Sequence, residues 1–146
     1  MITNYDIDEL FYASIKARFE MPQTPVSGIV YISGGVYNGD RPLNSKAEDI
    51  TIRTISIVGD GFPQEAVTNV NVYVSDVAEF NGGYVRNGKR LEVLSNAVKD
   101  YIKTLIYKNV DINIDSMTEV NLESVGQHYM NIRMKVTVYE NINQSN

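Results

Sequence analysis

Apolar residues recur along this chain with two periods, one near 3.6 and one of 2, which predicts a mixed α and β chain. Over 5–19, Ile7, Leu10, Phe11, Ile15 and Phe19 gather on one helical face. Asp6, Asp8 and Glu9 stand in the first turn, and Lys16 and Arg18 in the last, as the helix dipole favours. Thr3 and Asn4 are the cap candidates, and Pro22 and Pro25 end the helix. A second, clearer helix is predicted over 89–107. Leu91, Leu94, Val98, Tyr101, Ile102 and Leu105 form its stripe, with Asn87 as its cap.

The period of 2 marks the strands. Residues 28–36 (GIVYISGGV) are β-branched and aromatic and read as a strand that fades at Gly34 and Gly35. In 49–58, Ile50 and Ile52 share one face while Ile55 and Ile57 share the other. That phase switch predicts a bulge, or a strand buried on both sides. Over 67–74, Val70, Val72 and Val74 point inward and Asn69, Asn71 and Tyr73 outward. Val110, Ile112 and Ile114 alternate with Asp111, Asn113 and Asp115, Val120 and Leu122 continue the pattern, and Gly126 turns the chain. Met130, Ile132, Met134, Val136 and Val138 make the longest clean alternation, and the polar end at 141–146 is expected to fray.

Between the first two strands, Asn38-Gly39 signals a turn and Pro42 holds Arg41 extended. A long excursion over 37–48 and a hairpin tip with a frayed arm both fit; the excursion is favoured. The whole predicts an α+β fold of order α-β-β-β-α-β-β. Its sheet is mainly antiparallel, with both helices packed on one face and a long extended loop at 37–48.

With 146 residues and 43% hydrophobic content, the expectation is a single domain over 1–146 with a real core. The net charge of −5 argues against a nucleic-acid binder, which needs a basic surface. It suits solubility, and a surface past which a polyanion slides. No cysteine is present, so disulfides, thiolate nucleophiles and thiolate zinc sites are excluded. The first twenty residues lack the apolar core of a signal peptide and no apolar run is long enough to span a membrane, so a soluble, intracellular protein is expected.

Candidate chemistry is sparse, and the expectation is that the chain is not an enzyme. His128 is the one histidine, and in a turn before a strand it reads as structural or exposed. Asp111 and Asp115, with Asn113 between them, offer oxygen ligands for calcium or magnesium, but the glycine and glutamate of a calcium loop are missing. Gly59-Asp60-Gly61 and Gly82-Gly83 lack the Gly-Lys-Ser/Thr of a phosphate loop, and no serine sits in a Gly-x-Ser-x-Gly elbow. Glu48 and Asp49 point to opposite faces of an extended chain and read as salt-bridge partners for Arg41 or Lys46. The ten tyrosines are weighted outward, at Tyr37, Tyr73, Tyr84 and Tyr139, beside Asn and Thr. Tyrosine joins buried area to a polar tip, which favours an interface.

The succession RPLNSKAEDITIRTISI, QEAVTNVNVYVSD, a glycine-bearing loop and RLEVLSNAVKDYIKTL resembles the tail-completion (tail-terminator or neck) proteins of tailed bacteriophages and prophages, in versions from Bacteroides-type hosts. The likeness spans about 26–140 and is most specific at Arg41-Pro42-x-Asn44-Ser45-x-x-Glu48-Asp49 and at Val70-Asn71-Val72-Tyr73-Val74. It implies a subunit of a homo-oligomeric ring, a hexamer or dodecamer, at the head–tail junction of the virion. The ring caps the tail, meets connector or tail-tube proteins and lets DNA pass, with no cofactor. It also implies that the 37–48 loop reaches a neighbouring subunit or the tail tube, with Arg41, Glu48 and Asp49 forming intersubunit pairs. Lys46, Tyr37, Tyr73 and Tyr84 complete the interface candidates. The last two strands are generic and would also suit a head-closure ring protein. Two other classes stay open: a ligand- or peptide-binding module using the open sheet face, with Tyr31, Tyr73 and Tyr139 lining a pocket, and a carboxylate hydrolase built on Asp111 and Asp115.

Overall fold

Helix α1 (Asn4–Phe19) opens with a reciprocal cap. Thr3 Oγ1 accepts the Asp6 amide at 3.3 Å and Asp6 Oδ2 accepts the Thr3 amide at 2.7 Å, so two of the orphan donors at the helix start are satisfied. Ile7, Phe11, Ile15 and Phe19, each four apart, are fully buried. In this computed structural model, which describes residues 2–79 and 81–142, α1 covers one end of a five-stranded sheet. The strands are β1 (Val36–Asn38), β2 (Ile50–Val58), β3 (Gln64–Ser75), β6 (Val110–Leu122) and β7 (Gln127–Val138), in spatial order β1-β2-β3-β7-β6. Only β1, which lies parallel to β2, departs from antiparallel pairing. A small separate hairpin pairs β4 (Val77–Ala78) with β5 (Tyr84–Val85) and leads into α2 (Gly88–Thr104), capped by Asn87 as expected. The α+β class and, with the small hairpin set aside, the order α-β-β-β-α-β-β are those predicted. No helix among the described residues is long and apolar enough to cross a membrane.

Both helices pack on one face. Ile50 and Ile52 of β2, Val70, Val72 and Val74 of β3, and Ile132, Met134, Val136 and Val138 of β7 bury against Leu91, Leu94, Val98 and Ile102 of α2 and the α1 stripe. Fully burying each such side chain contributes roughly 1.5–3 kcal/mol, which makes this face the seat of stability. Among the described residues no α-helix covers the other face. Rows such as Thr51–Asn71–Asn131–Thr118 and Arg53–Asn69–Arg133–Ser116 run across it. Asn131 donates to Asn71 at 2.7 Å within the first of these rows.

The predicted bulge in β2 lies between Thr54 and Ser56. It leaves Ile55 exposed and returns Ile57 to the helix side opposite Ala66. Asp8 is what holds it. Placed in the first turn for the helix dipole, Asp8 is in fact buried, and its Oδ1 accepts the Thr54 amide at 2.6 Å. Burial raises its pKa above the ordinary 3.8, and the Thr54 hydrogen bonds and the Arg53 charge oppose that without cancelling it. A carboxyl that binds its proton more tightly when folded loses stability as pH rises from the unfolded pKa through the folded one. Asp8→Asn, which keeps an acceptor and removes the charge, should therefore be at least as stable as the parent at pH 7. That advantage should vanish below about pH 4. Asp8→Ala strands the Thr54 amide and should cost about 1–3 kcal/mol at either pH. Thermal melts of the two variants at pH 7 and pH 3 check this; equal losses at pH 7 would mean that the charge, not the acceptor, matters.

Three expectations are corrected. Residues 28–35 form no strand: Ile32 makes one bridge to Glu20, and two of the segment's carbonyls are taken by side chains, Val30 O by Arg18 at 2.8 Å and Tyr31 O by Arg90 at 2.8 Å. A second bulge, between Ile114 and Ser116 in β6, changes the phase so that Met117 faces the helices. Val120 and Leu122 turn to the open side beside Tyr129 and Gln127. Helix α2 stops at Thr104, with Leu105 as its cap. Of the end expected to fray, 143–146 lie outside the described residues.

Candidate functional site

The excursion expected at 37–48 exists, its first two residues belonging to β1, but it does not stand away from the body. It folds over the helix-free face at the end of the sheet where β7 begins. Arg41 is the hub. Its Nε donates to Asp49 Oδ2 at 2.9 Å and its Nη1 to Gln127 Oε1 at 3.0 Å. Its Nη2 donates to the carbonyls of Ser45 at 2.9 Å and Ala47 at 3.3 Å. The guanidinium also lies 4.1 Å over the Tyr73 ring, which packs against Tyr129 with centroids 4.9 Å apart. Asp49 is 1% exposed, and its second oxygen accepts the Gly35 amide at 3.0 Å. Ser45 Oγ adds a 2.6 Å bond to Asp49, while Gln127 Nε2 returns to Ser45 O at 3.1 Å.

Glu48 faces the other way, as its adjacency to Asp49 requires. It forms a two-pronged pair with Arg90 of α2 at 2.7 and 2.9 Å and accepts the Ser33 amide. That pairing holds the Arg90 guanidinium above its ordinary pKa. Lys46 Nζ reaches the Val125 carbonyl at 2.7 Å, and the Lys46 carbonyl accepts Ser75 Oγ at 2.6 Å.

Arg41, Glu48, Asp49, Lys46 and Tyr73 are therefore brought together, but by bonds inside the chain. Reading Glu48 and Asp49 as internal salt-bridge partners agrees with this: Asp49 takes Arg41, and Glu48 takes Arg90. The intersubunit pairs expected of Arg41, Glu48 and Asp49 meet a different geometry, because their charged atoms already have partners. Tyr37 lies apart on β1 and Tyr84 apart on the exposed hairpin. Ser45 of the same motif joins the cluster, and two residues that the motif reading passed over, Gln127 and Arg90, complete it. Gln127 left one faint trace, a polar residue at the head of the longest alternation.

What this wiring presents is Leu43. Between Pro42 and Asn44, which adopts φ 61°, its side chain is 91% exposed. It overhangs a shallow hollow of about 270 Å³ floored by Tyr73, Leu122 and Gln127. At the opposite end of the sheet, past Val138, Ile106 is 92% exposed beside a cleft of about 360 Å³.

The other chemical candidates sit in structural roles. His128 Nδ1 meets Asp76 Oδ1 at 2.7 Å and pins the root of the β4–β5 hairpin, helped by the Asp76 amide on Gly126 O. Asp111 accepts the Tyr139 hydroxyl at 3.0 Å, and Asp115 lies 3.8 Å from Lys135. Among the described residues no three acidic or imidazole groups converge on a metal position. Tyr31, Tyr73 and Tyr139 line no common pocket: Tyr31 binds the Val26 amide, Tyr73 lies under Arg41, and Tyr139 stands at the far end of β7. Gly82 turns the small hairpin and Gly59 the β2–β3 connection. No protein-family model and no curated protein matches the chain.

Proposed function

We propose that this chain is a structural virion protein, a self-associating subunit of a ring at the head–tail junction or tail end of a bacteriophage. The ring completes or caps the tail and lets DNA pass, and the subunit is not an enzyme. The observation that carries this reading is that Leu43 and Ile106, the most exposed of the large apolar residues described, stand at opposite ends of one sheet. Two different patches on one molecule make a head-to-tail contact, and such contacts close into rings when the rotation between copies allows. The α+β order agrees with the resemblance of 26–140 to tail-completion proteins, and β6, thirteen residues long at the edge of the sheet, leaves a second surface for connector or tail-tube partners. A net charge of −5 gives a channel wall that does not grip phosphate.

Native mass spectrometry and negative-stain imaging test the reading, with the protein alone and with a tail-tube protein. Rings of six or twelve copies are the expected result. Monomers under both conditions would sink it.

A further inference from the structure

The two bare patches are complementary in more than hydrophobicity. Leu43 is flanked three residues away on each side by charges on the loop, Asp40 and Lys46. The cleft beside Ile106 carries Lys108 and Glu140 among its lining residues, with Leu10 and Ile142 as apolar lining. Glu140 is met by the Asn109 side-chain amide, and Lys46 by a carbonyl; among the described residues neither has an ion-pair partner. Asp40 is already paired with Arg53 at 2.8 Å, so the opposite charges left to meet across the two patches are Lys46 on the loop and Glu140 at the cleft.

The loop is also unusually well fixed. The Arg41, Asp49, Ser45 and Gln127 bonds hold the stem, so Leu43 is presented in one place and ordering it on contact loses little entropy. The loop lies where β7 starts and the cleft where β7 ends, and a strand of twelve residues spans roughly 40 Å. A copy cannot fill its own cleft.

We infer that Leu43 of one copy seats in the Ile106–Ile142 cleft of the next, with Lys46 set against Glu140. This rests on the self-association reading and names the surfaces that carry it. Because the contact joins unlike patches, each copy offers one of each to its neighbours, and the chain of contacts ends only by closing.

The absence of cysteine makes the test direct. Leu43→Cys and Ile106→Cys are made singly and together, and the assembled protein is oxidised and run on a denaturing gel. The double variant should give a ladder of covalent multimers ending at the ring number, while each single variant runs as a monomer. In parallel, Leu43→Asp should weaken assembly at least tenfold in concentration midpoint with an unchanged melting temperature, since the side chain touches solvent in the free subunit. A parent that assembles, combined with a double variant that gives no ladder or a Leu43→Asp midpoint that does not move, overturns the Leu43–cleft contact and leaves self-association standing. A parent that stays monomeric at every concentration overturns both.

Discussion

Replacing Arg41 with methionine is expected to cost roughly 3–5 kcal/mol of folding stability, the range for removing one partner of a buried ion pair. Asp49 is 1% exposed and the Arg41 side chain 14%, so water cannot replace the lost guanidinium. Four acceptors lose a donor together: the Asp49 carboxylate, the Gln127 side chain, and the Ser45 and Ala47 carbonyls. Arg41→Lys should rescue little, because one ammonium cannot reach in those directions at once or cover the Tyr73 ring. Arg41→Glu should be worse still, placing like charges together. The resemblance alone would have charge reversal weaken assembly and spare the fold; this geometry predicts that the fold yields first. Urea titrations of the three variants decide it, and a midpoint unchanged in Arg41→Met would reduce the hub to a surface ornament.

How much of this could be read beforehand depends on how local each cause is. The α1 and α2 stripes were legible because burial on a single face writes a period into consecutive residues. The β2 bulge was legible for the same reason: the inward isoleucines change parity between Ile52 and Ile57. The β6 bulge left no such mark. Val110, Ile112, Ile114, Val120 and Leu122 keep one parity, but the last two turn to the open side, where Tyr129, Val125 and the folded loop give them apolar company. Parity says nothing where both faces hold apolar residues. Residues 28–35 have strand composition without a strand partner, since Arg18 and Arg90 supply what a neighbouring strand would have supplied. At the site, the adjacency of Glu48 and Asp49 told that one would face each way. It could not tell that Asp49 turns inward, because that depends on Gln127, 86 residues from Arg41 in sequence. Leu43 fell at an unspecified position of the motif, and exposure on a fixed loop has no sequence signal at all.

Gly34→Ala should destabilise the chain by roughly 3 kcal/mol, at the upper end of what overpacking costs. A β-carbon on Gly34 would overlap Asp49 Oδ1, sit 2.6 Å from the Glu48 carbonyl oxygen and 2.8 Å from Ala47 Cβ. None of these atoms has room to retreat. Asp49 is held on one oxygen by the Gly35 amide and on the other by Arg41 and Ser45, and the Glu48 carbonyl accepts the Gly34 amide itself at 2.8 Å. The insertion would therefore push the loop off its stem and displace Leu43 with it. Gly28 is the control. Its φ of +85° also disfavours alanine, but a β-carbon there meets nothing within 4 Å, so Gly28→Ala should cost only about 1–2 kcal/mol of backbone strain. Paired melts of the two variants separate close approach from backbone conformation. If Gly34→Ala proves as mild as Gly28→Ala, the 41–49 loop has slack that its bonds do not suggest, and a fixed Leu43 knob loses its physical basis.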